Sequence, residues 1–538
     1  MRRILIVGGV AGGASAAARL RRLDEKAQII LFERGEHISF ANCGLPYYIG
    51  GEITDKRELT LQTPESFNAQ FNVDVRVFSE VMSIDKEAKV ITVKNHQTNE
   101  FYTEFYDKLI LSPGAEPIKP NIEGINSGKV FTLRNIPDTF KIKDYIETNR
   151  SKSAAIVGGG FIGVEMAENL HAIGLKVTLI EMQEQIIAPL DYDMACDVHR
   201  YMERKGVTLI LKNGLKSIID NGDTLTIKLN EGEVNADILI MAIGVRPESS
   251  LAKNTGLDID ERGHIIVNKC MQTSNPDIFA VGDAVGPIPL AGPANKQGRI
   301  AADVICGFDS HYIGTQGSSI LKVFDMTIAT TGINEKTAKR LGLDYDKSFT
   351  YSASHAAYYP GASYMSIKTV FEKKTGKILG AQIAGFDGAD KRCDVFAAAV
   401  YAKMTAFDLA KLELCYAPPY SSAKDPVNMA GFVIENLLTN KVRNFHWHDV
   451  ESLPRDGSVT LLDTRSPIEY KGGTIDGFTN IPLAELRNRL DELDKAKPVY
   501  ITCMIGLRGY IAARILMQNG FEAYNLSGGY RLYRSIFA

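Results

Sequence analysis

The sequence predicts a multidomain α/β protein, because one strand–loop–helix–strand pattern occurs twice and a third α/β pattern follows near the C terminus. The chain has 538 residues, which is too long for a single hydrophobic core. Its 45% hydrophobic and 23% charged residues are typical of a soluble globular protein. A net charge of −3 indicates no nucleic-acid-binding surface. No apolar run reaches the roughly 18 residues that a membrane helix needs, so no membrane association is expected.

The first copy of the pattern opens the chain. An apolar strand, RRILIVGG, leads into a loop containing Gly8 and Gly13, then a helix, then a strand that ends at Glu33. Val10 stands where the G-x-G-x-x-G fingerprint of dinucleotide-binding loops has its middle glycine. Glu33 still supports a nucleotide site, because an acid at this spacing suits a ribose diol.

The second copy, SKSAAIVGGGFIG, matches the fingerprint in full with Gly158, Gly160 and Gly163. The first glycine permits a tight turn, and the second lets a pyrophosphate approach the positive end of the helix dipole. Glu181 ends the next strand, where its carboxylate would accept from a ribose diol and repel a 2′-phosphate. MQEQII follows without Arg or Lys, so the sequence favours NADH, with NADPH still possible.

The rest of the chain predicts three further regions. TSNPDIFAVGDA contains Asp283, which suits a ribityl or ribose hydroxyl and can also cap a helix. Residues 319–440 alternate strand-like segments with a helical run, and the polar segment KVRNFHWHD at 441–449 is predicted to be a linker. From about 450, SVTLLDTRS, PVYITCMIG and an amphipathic helix predict a small separate α/β domain.

Cys43, in SFANCGLPYYIGG, is a candidate redox residue without a sequence neighbour to pair with. The fifth residue after it is Tyr48, and the next cysteine is Cys196. A disulfide with a nearby cysteine is therefore excluded, so Cys43 must share electrons with a flavin or sulfur with an external thiol. The seven cysteines are odd in number and irregularly spaced, which fits a reducing cytoplasm and predicts neither a disulfide framework nor a metal site.

Cys503 is the second candidate nucleophile, at the start of a C-x4-R loop between a strand and a helix. Successive backbone N–H groups in such a loop, with the helix dipole behind them, can hold an anionic sulfur. Arg508 closes the loop and can bind an anionic sulfur species. Asp463 and Arg465 follow an earlier strand and fit a structural ion pair better than catalysis.

These motifs carry a resemblance to a known family. GGVAGG, SFANCGLPYYIGG, SPGAEP, GGGFIG, TSNPDIFAVGDA and YAPPYSSAKDPVNMAG, in this order, resemble the coenzyme A-disulfide reductases. These form a branch of the FAD- and pyridine-nucleotide-dependent disulfide reductases, and the resemblance covers residues 1 to about 440. LLDTRSPIEY, CMIGLRGY and AYNLSGGY resemble a rhodanese domain. The fusion is similar to proteins described as CoA-disulfide or NADH-dependent persulfide reductases.

The resemblance implies a fold class of α/β type with two Rossmann-like FAD and NAD(P)H domains, an α+β dimerisation domain and a C-terminal α/β rhodanese domain. It also implies a homodimer in which the partner subunit completes the active site. The expected ranges are 1–112 and 246–318 for FAD binding, 113–245 for NAD(P)H binding, 319–440 for dimerisation, 441–449 for the linker and 450–538 for the rhodanese domain.

Site residues follow from the same resemblance. Tyr358 and Tyr416 match tyrosines that reach Cys43 of the partner subunit, with Tyr359 and Tyr420 as alternatives. Phe71 stands where some relatives carry a basic residue, which puts one phosphate contact in doubt. Coenzyme A contacts are expected at Ser15, Arg19, Arg22, Ser39, Asn42 and Lys424. Cofactor contacts are expected at Gly8, Ala11, Gly13, Glu33, Arg34, Ser112, Gly114, Asp283, Gly158, Gly160, Ile162, Gly163, Glu181 and Gly244.

The expected function is the reduction of CoA disulfide, CoA persulfide or polysulfide by NADH through FAD and Cys43, with Cys503 carrying sulfane sulfur. The thiolate is the reactive form of Cys43, so positive dipoles or donors are expected to lower its pKa. Two alternatives stay open: an NADH oxidase or peroxidase that forms a cysteine sulfenic acid, and a sulfurtransferase with a regulatory flavin part. Val10-Ala11 stands where peroxidase relatives are expected to carry a histidine, which counts against a peroxidase.

Overall fold

The computed structural model describes residues 2–537, which form two compact units. The first unit contains residues 2–183 and 207–315, and the second contains residues 184–206 and 316–537. The predicted combination of two nucleotide-binding-type sheets, an α+β region and a C-terminal α/β region is confirmed. Between residues 2 and 537, no helix combines the length and apolar character needed to cross a membrane.

The first unit contains two five-stranded parallel sheets in which four of the strands follow the same order. In each sheet the strand before the glycine loop is central, and the strand after the following helix lies beside it, as the repeated sequence pattern predicts. The first sheet runs, in spatial order, Ile278–Ala280, Lys108–Leu111, Arg3–Val7, Gln28–Phe32 and Asp74–Arg76. The second runs Thr208–Ile210, Lys176–Ile180, Ser153–Val157, Ile238–Met241 and Val130–Phe131.

Smaller antiparallel sheets and helices complete the first unit. The sheets are Ser79–Asp85 with Val90–Asn95 and Phe101–Phe105, Leu215–Asp220 with Leu225–Leu229 and Glu233–Ala236, and Ala115–Pro117 with Val245–Pro247. The helices are Ala11–Leu23, Leu45–Ile49, Pro64–Phe71, Ile136–Asn149, Phe161–Ala172, Ser250–Asn254 and Ala291–Ile305, with 3-10 turns at Asn42–Gly44, Lys56–Leu59 and Gly282–Ala284.

The second unit contains one antiparallel and one parallel sheet, each with five strands. The antiparallel sheet runs Ser319–Val323, Met326–Gly332, Ile378–Gly385, Tyr364–Glu372 and Tyr345–Ala353. The parallel sheet runs Asn444–Phe445, Ala523–Leu526, Val499–Thr502, Thr460–Asp463 and Thr479–Asn480. The helices are Tyr192–Arg204, Glu335–Arg340, Ala389–Tyr401, Ala406–Lys411, Pro426–Leu438, Pro467–Lys471, Leu483–Leu486, Leu507–Gln518 and Gly529–Phe537, with 3-10 turns at Trp447–Ser452 and Leu490–Glu492.

The segment 441–449, predicted to be a linker, contains a short strand. Asn444–Phe445 is an edge strand that pairs in parallel with Ala523–Leu526. Val442 and Phe445 are buried, which anchors the segment in the C-terminal core. A two-residue strand is too short to show a periodic pattern, and the polar and aromatic residues around it do not indicate a strand.

The helix Tyr192–Arg204 belongs to the second unit, although the segments 2–183 and 207–315 on either side of it in sequence belong to the first. Its last turn meets the C-terminal region, where the Arg200 side chain donates to the carbonyl of Ser535 at 2.9 Å. The expected NAD(P)H range 113–245 runs through this helix. The domain ranges stay a prediction.

A buried ion cluster joins the helix Tyr192–Arg204 to the antiparallel sheet. The ammonium of Lys368 is fully buried and donates to both carboxylate oxygens of Asp193 at 2.8 Å, and also to Glu335. Asp191 lies 3.0 Å from the same nitrogen. Lys347 pairs with Glu335 at 2.7 Å, so three acids surround two cations in a buried site.

The C-terminal region joins this cluster through one indole. The Trp447 ring N–H donates to Asp193 Oδ2 at 3.1 Å. Burial alone would raise the pKa of Glu335, but Lys368 and Lys347 outweigh it and hold the pKa at about 2. The cluster therefore stays charged at neutral pH and ties three segments of the second unit together.

We expect Lys368→Met to destabilise the second unit by about 3–5 kcal/mol, because removing one partner of a buried ion pair leaves uncompensated charge. Urea unfolding followed by circular dichroism measures this loss. The matched control is Lys441→Met, which removes a solvent-exposed pair with Glu435 at 3.6 Å and should cost less than about 1 kcal/mol. Equal losses in the two variants would contradict the role given to the cluster.

Candidate active site

The two glycine loops of the first unit hold their acids in the same way. The Glu33 carboxylate accepts hydrogen bonds from the backbone N–H groups of Gly9 and Gly35, both at 3.0 Å. The Glu181 carboxylate accepts from the N–H of Gly159 at 2.7 Å. Each acid is thus fixed at the carboxyl edge of its sheet beside a helix N terminus, the place where a dinucleotide ribose binds in this architecture.

The third glycine of each loop permits the close approach of helix and strand. A Cβ on Gly13 would lie 1.9 Å from the carbonyl oxygen of Gly8, and one on Gly163 would lie 1.9 Å from that of Gly158. Val10 has a φ of −98°, ordinary extended backbone, so a side chain is tolerated where the fingerprint has its middle glycine. The incomplete first motif therefore builds the same loop as the complete one.

The remaining predicted cofactor residues lie at the same two sheet edges. Among the residues that the structure describes, neither helix after a glycine loop has a side-chain N-cap, so backbone N–H groups are left for a pyrophosphate. Ser112 follows a central strand, and its N–H donates to the carbonyl of Val7 at 2.8 Å. Both edges therefore fit a dinucleotide. The residues at the edge of the first sheet are Ala11, Arg34, Ser112, Gly114 and Asp283, and those at the edge of the second are Gly160, Ile162 and Gly244.

Cys43 lies in the 3-10 turn Asn42–Gly44, directly before the helix Leu45–Ile49, and its side chain is exposed. Partial desolvation raises the pKa of the Cys43 thiol, and the carboxylates of Glu165 and Asp283 raise it further. The expectation that neighbouring protein groups lower this pKa is therefore wrong. The charges that face the thiol are acids rather than cations.

Glu165 is a partly buried acid near this turn that the sequence analysis missed. The Tyr47 hydroxyl donates to Glu165 Oε1 at 3.5 Å. Desolvation raises the pKa of Glu165 to about 7, and the charge of Glu168 contributes to the rise. Its one sequence signal is a charged residue in the otherwise apolar stretch FIGVEM, which follows the second glycine loop. Glu165 thus changes charge near neutral pH within electrostatic reach of Cys43.

A pocket of about 490 Å³ brings together most of the predicted coenzyme A contacts. Ser15, Arg19 and Arg22 reach it from the helix Ala11–Leu23, and Ser39 reaches it from the segment just before Cys43. Arg299, which sequence reasoning missed, adds a third arginine. The arginines of such a cavity suit a molecule that carries phosphate groups.

Several pocket residues already have partners, and two of the expected contacts, Asn42 and Lys424, lie outside the pocket lining. Arg19 forms an ion pair with Asp303 at 2.7 Å, and Ser15 donates to Asn295 at 2.7 Å. Phe71 lines the pocket at the position where some relatives carry a basic residue, so the positive charge of this pocket comes from the arginines. Asn42 is exposed beside Cys43.

In the second unit, the structure brings the two predicted tyrosines together. The hydroxyls of Tyr358 and Tyr416 are 3.0 Å apart, and this hydrogen bond raises the pKa of Tyr358. Both side chains are exposed, at 76% and 48% of their surface. The alternative Tyr359 instead packs its ring edge against His355, and Lys424 is exposed.

Cys503 lies at the base of the predicted loop in the second unit. Its side chain is 1% exposed, and the N–H of Gly506 donates to its sulfur at 3.1 Å. The helix Leu507–Gln518 begins directly after this loop, so its positive end faces the same region. One backbone N–H of the predicted cradle thus contacts the sulfur.

Arg508 is held by an acid that the sequence analysis did not identify. Its guanidinium makes two parallel hydrogen bonds to the Glu469 carboxylate, at 2.6 and 2.7 Å. The pairing lowers the pKa of Glu469 to about 2. The expected structural pair of Arg465 with Asp463 is confirmed, fully buried with a contact of 2.6 Å.

Three protein-family patterns match the chain in sequence order. The family described as pyridine nucleotide-disulphide oxidoreductase matches residues 2–298. The dimerisation domain of the same family matches residues 318–426. A rhodanese-like domain matches residues 446–535.

Individual proteins are similar over most of the length. A coenzyme A disulfide reductase of Staphylococcus epidermidis is 38% identical over 443 residues, covering 80% of this chain and 99% of the relative. The reduced CoADR-RHD structure of Bacillus anthracis has a TM-score of 0.97 and 52% identity, covering 99% of this chain and 98% of that one. An NAD-dependent persulfide reductase from A. fulgidus has a TM-score of 0.92 and 36% identity, covering 99% and 100%.

We expect Glu165→Gln to lower the pKa of the Cys43 thiol, because the Glu165 carboxylate destabilises the thiolate. The difference between variant and parent should be largest above about pH 7, where Glu165 is ionised, and should shrink below it. The measurement is the pH dependence of Cys43 alkylation by iodoacetamide, with peptide mapping. Glu87→Gln, at an exposed carboxylate of the same unit, is the control. A thiol pKa that stays constant or rises in Glu165→Gln would refute this electrostatic link.

Proposed function

The chain belongs to the pyridine nucleotide-disulphide oxidoreductase family, and we propose that it is an NADH-dependent reductase of CoA disulfide, CoA persulfide or polysulfide. Cys43 is the proposed redox nucleophile. FAD, held by the first glycine loop and Glu33, would supply two electrons from NADH, which Glu181 and the second loop would bind. The acid at Glu181 favours NADH because it repels a 2′-phosphate.

One observation carries this proposal: an arginine-lined pocket lies beside the segment that bears the lone thiol. Ser39 lines the pocket, and Cys43 is four residues further along the chain. Phosphates of coenzyme A would pair with Arg22 and Arg299, leaving the pantetheine arm to extend toward the thiol. Neither oxygen nor peroxide needs such a cation cluster, so the pocket favours the CoA-linked function over an oxidase or peroxidase.

The thiol step uses this chain's own residues. The Cys43 thiolate attacks one sulfur of CoA–S–S–R, a new S–S bond to Cys43 forms, the original S–S bond breaks, and CoA leaves as a thiolate. A tyrosine hydroxyl would donate the proton that the leaving thiolate needs, a contribution of about 10²–10⁴-fold in general acid catalysis. Tyr358 and Tyr416 of the partner subunit are the proposed donors.

The proposed assembly is a cytoplasmic homodimer. The dimerisation domain of the family, matched at residues 318–426, and the exposed tyrosine pair support this arrangement. The division into FAD-binding, NAD(P)H-binding, dimerisation and rhodanese ranges is part of the same proposal. Free cysteines throughout the described chain fit a reducing compartment.

The C-terminal region would carry sulfur toward the reductase. Cys503, in its backbone cradle, would accept a sulfane sulfur as a persulfide and pass it on, directly or through bound CoA. This explains why a loop suited to a persulfide anion is joined to an enzyme suited to reduce one. A sulfurtransferase with a regulatory flavin part would need Cys503 but not Cys43.

Cys43→Ser tests the proposal. Reduction of CoA disulfide and CoA persulfide should fall by at least about 10³-fold, because the nucleophile is lost, while bleaching of the bound flavin by NADH persists. Stopped-flow absorbance and acceptor-dependent NADH consumption measure the two halves separately. Cys270→Ser, a cysteine outside the proposed site, should behave like the parent. Appreciable acceptor turnover in Cys43→Ser would place the nucleophile elsewhere.

A further inference from the structure

The loop around Cys503 carries almost no free positive charge. Of the six residues Cys503–Arg508, Arg508 alone is charged. Its guanidinium is occupied by the two hydrogen bonds to Glu469, and the contact raises the pKa of Arg508. The neighbouring pair of Asp463 with Arg465 is also closed. Both arginines of these two pairs are therefore bound to an acid.

Apolar side chains accompany both partners of the ion pair. Leu507, next to Arg508, has 55% of its surface exposed, and Ile468, next to Glu469, has 85% exposed. The Cys503 thiol is buried, so a donor must lose water to reach it. Desolvation costs far more for a doubly charged ion than for a neutral group, unless a cation compensates.

We infer that Glu469 sets the donor class of this site: by neutralising Arg508, it selects an organic persulfide, whose reacting R–S–SH end is uncharged when protonated, over the thiosulfate dianion. In CoA persulfide the phosphates lie at the far end of the pantetheine arm, away from the reacting sulfurs. This inference rests on the proposed role of Cys503 as a sulfur carrier. The glutamate reduces the positive charge near an incoming donor, and its own carboxylate takes no part in the bond changes. Glu469 is therefore a specificity-determining residue.

The transfer balances without a further reactant. The Cys503 thiolate attacks the outer sulfur of R–S–SH, forming Cys503–S–SH and breaking the donor's S–S bond, and R–S⁻ leaves. With thiosulfate, the same attack would release sulfite, which carries two negative charges. That dianion would develop beside an arginine already paired with a carboxylate.

The glutamine variant of Glu469 tests the inference with little effect on the local fold. Glu469 closes a capping box with Ser466 at the start of the helix Pro467–Lys471, and glutamine serves in this position as well. Glu469→Gln therefore keeps the shape and frees the guanidinium of Arg508. Leu507→Lys is a second variant that adds an unpaired cation at an exposed position without touching the cap.

The experiment measures sulfur loading of Cys503 in the full-length enzyme without NADH. CoA persulfide and thiosulfate are the two donors, and the product is quantified by alkylation and peptide mass spectrometry. The parent should load from CoA persulfide and only slowly from thiosulfate. Each variant should load from thiosulfate about tenfold faster, the range of a hydrogen bond to a charged group, with CoA persulfide loading unchanged. The control Glu492→Gln breaks the exposed pair of Glu492 with Arg489 in the same region and should match the parent.

Two results would overturn the inference: comparable loading of the parent from both donors, or no gain with thiosulfate in either variant. Loss of loading from CoA persulfide in Glu469→Gln would also count against it, because the glutamate would then be needed for transfer itself. A third result would bear on the proposed function itself. If neither donor loads Cys503 in the parent, the proposed carrier role fails, and the inference that rests on it fails too.

Discussion

The thiol of Cys43 has no second thiol beside it, and the proposed chemistry of this chain depends on that constraint. Among residues 2–537 all seven cysteines are free, and a neighbour in sequence cannot close a disulfide with Cys43. Electrons that reach this sulfur must therefore leave on a group from outside the chain, and the proposed function makes that group an external sulfur. The pocket lined by Arg22, Arg299 and Ser39 is the proposed site for the phosphates of a thiol whose sulfur is exchanged at Cys43.

The two sulfur sites place their thiols in opposite electrostatic surroundings. Cys43 is exposed, and partial desolvation together with the acids Glu165 and Asp283 raises its pKa, which disfavours its thiolate. Cys503 is buried, the N–H of Gly506 donates to its sulfur, and the single arginine of its loop is paired with Glu469. The reactivity of Cys43 therefore depends on its protonation state, and the reactivity of Cys503 depends on the charge of the sulfur donor.

Features set by local sequence could be predicted. The glycine loops, the acids at Glu33 and Glu181, the sheet repeat and the loop after Cys503 all follow from short motifs with fixed spacing. The tyrosine pair Tyr358 and Tyr416 came from a family resemblance, and the structure brings their hydroxyls to hydrogen-bonding distance.

Features set by distant pairing could not be predicted. Glu469 and Arg508 are 39 residues apart, and Lys368 and Asp193 are 175 apart. The sequence around one residue of such a pair therefore does not identify the other. The strand Asn444–Phe445 was missed for the same reason, because its existence depends on the neighbouring strand rather than on its own two residues.

The central claim is that the two cysteines act in series, Cys503 receiving sulfane sulfur and Cys43 reducing it. The most direct test is the ratio of NADH-dependent polysulfide reduction to CoA disulfide reduction in the parent and in Cys503→Ser. A CoA disulfide can reach Cys43 without the C-terminal region, whereas polysulfide is proposed to enter through Cys503. The account predicts a lower ratio in Cys503→Ser with CoA disulfide activity retained. An unchanged ratio would contradict it.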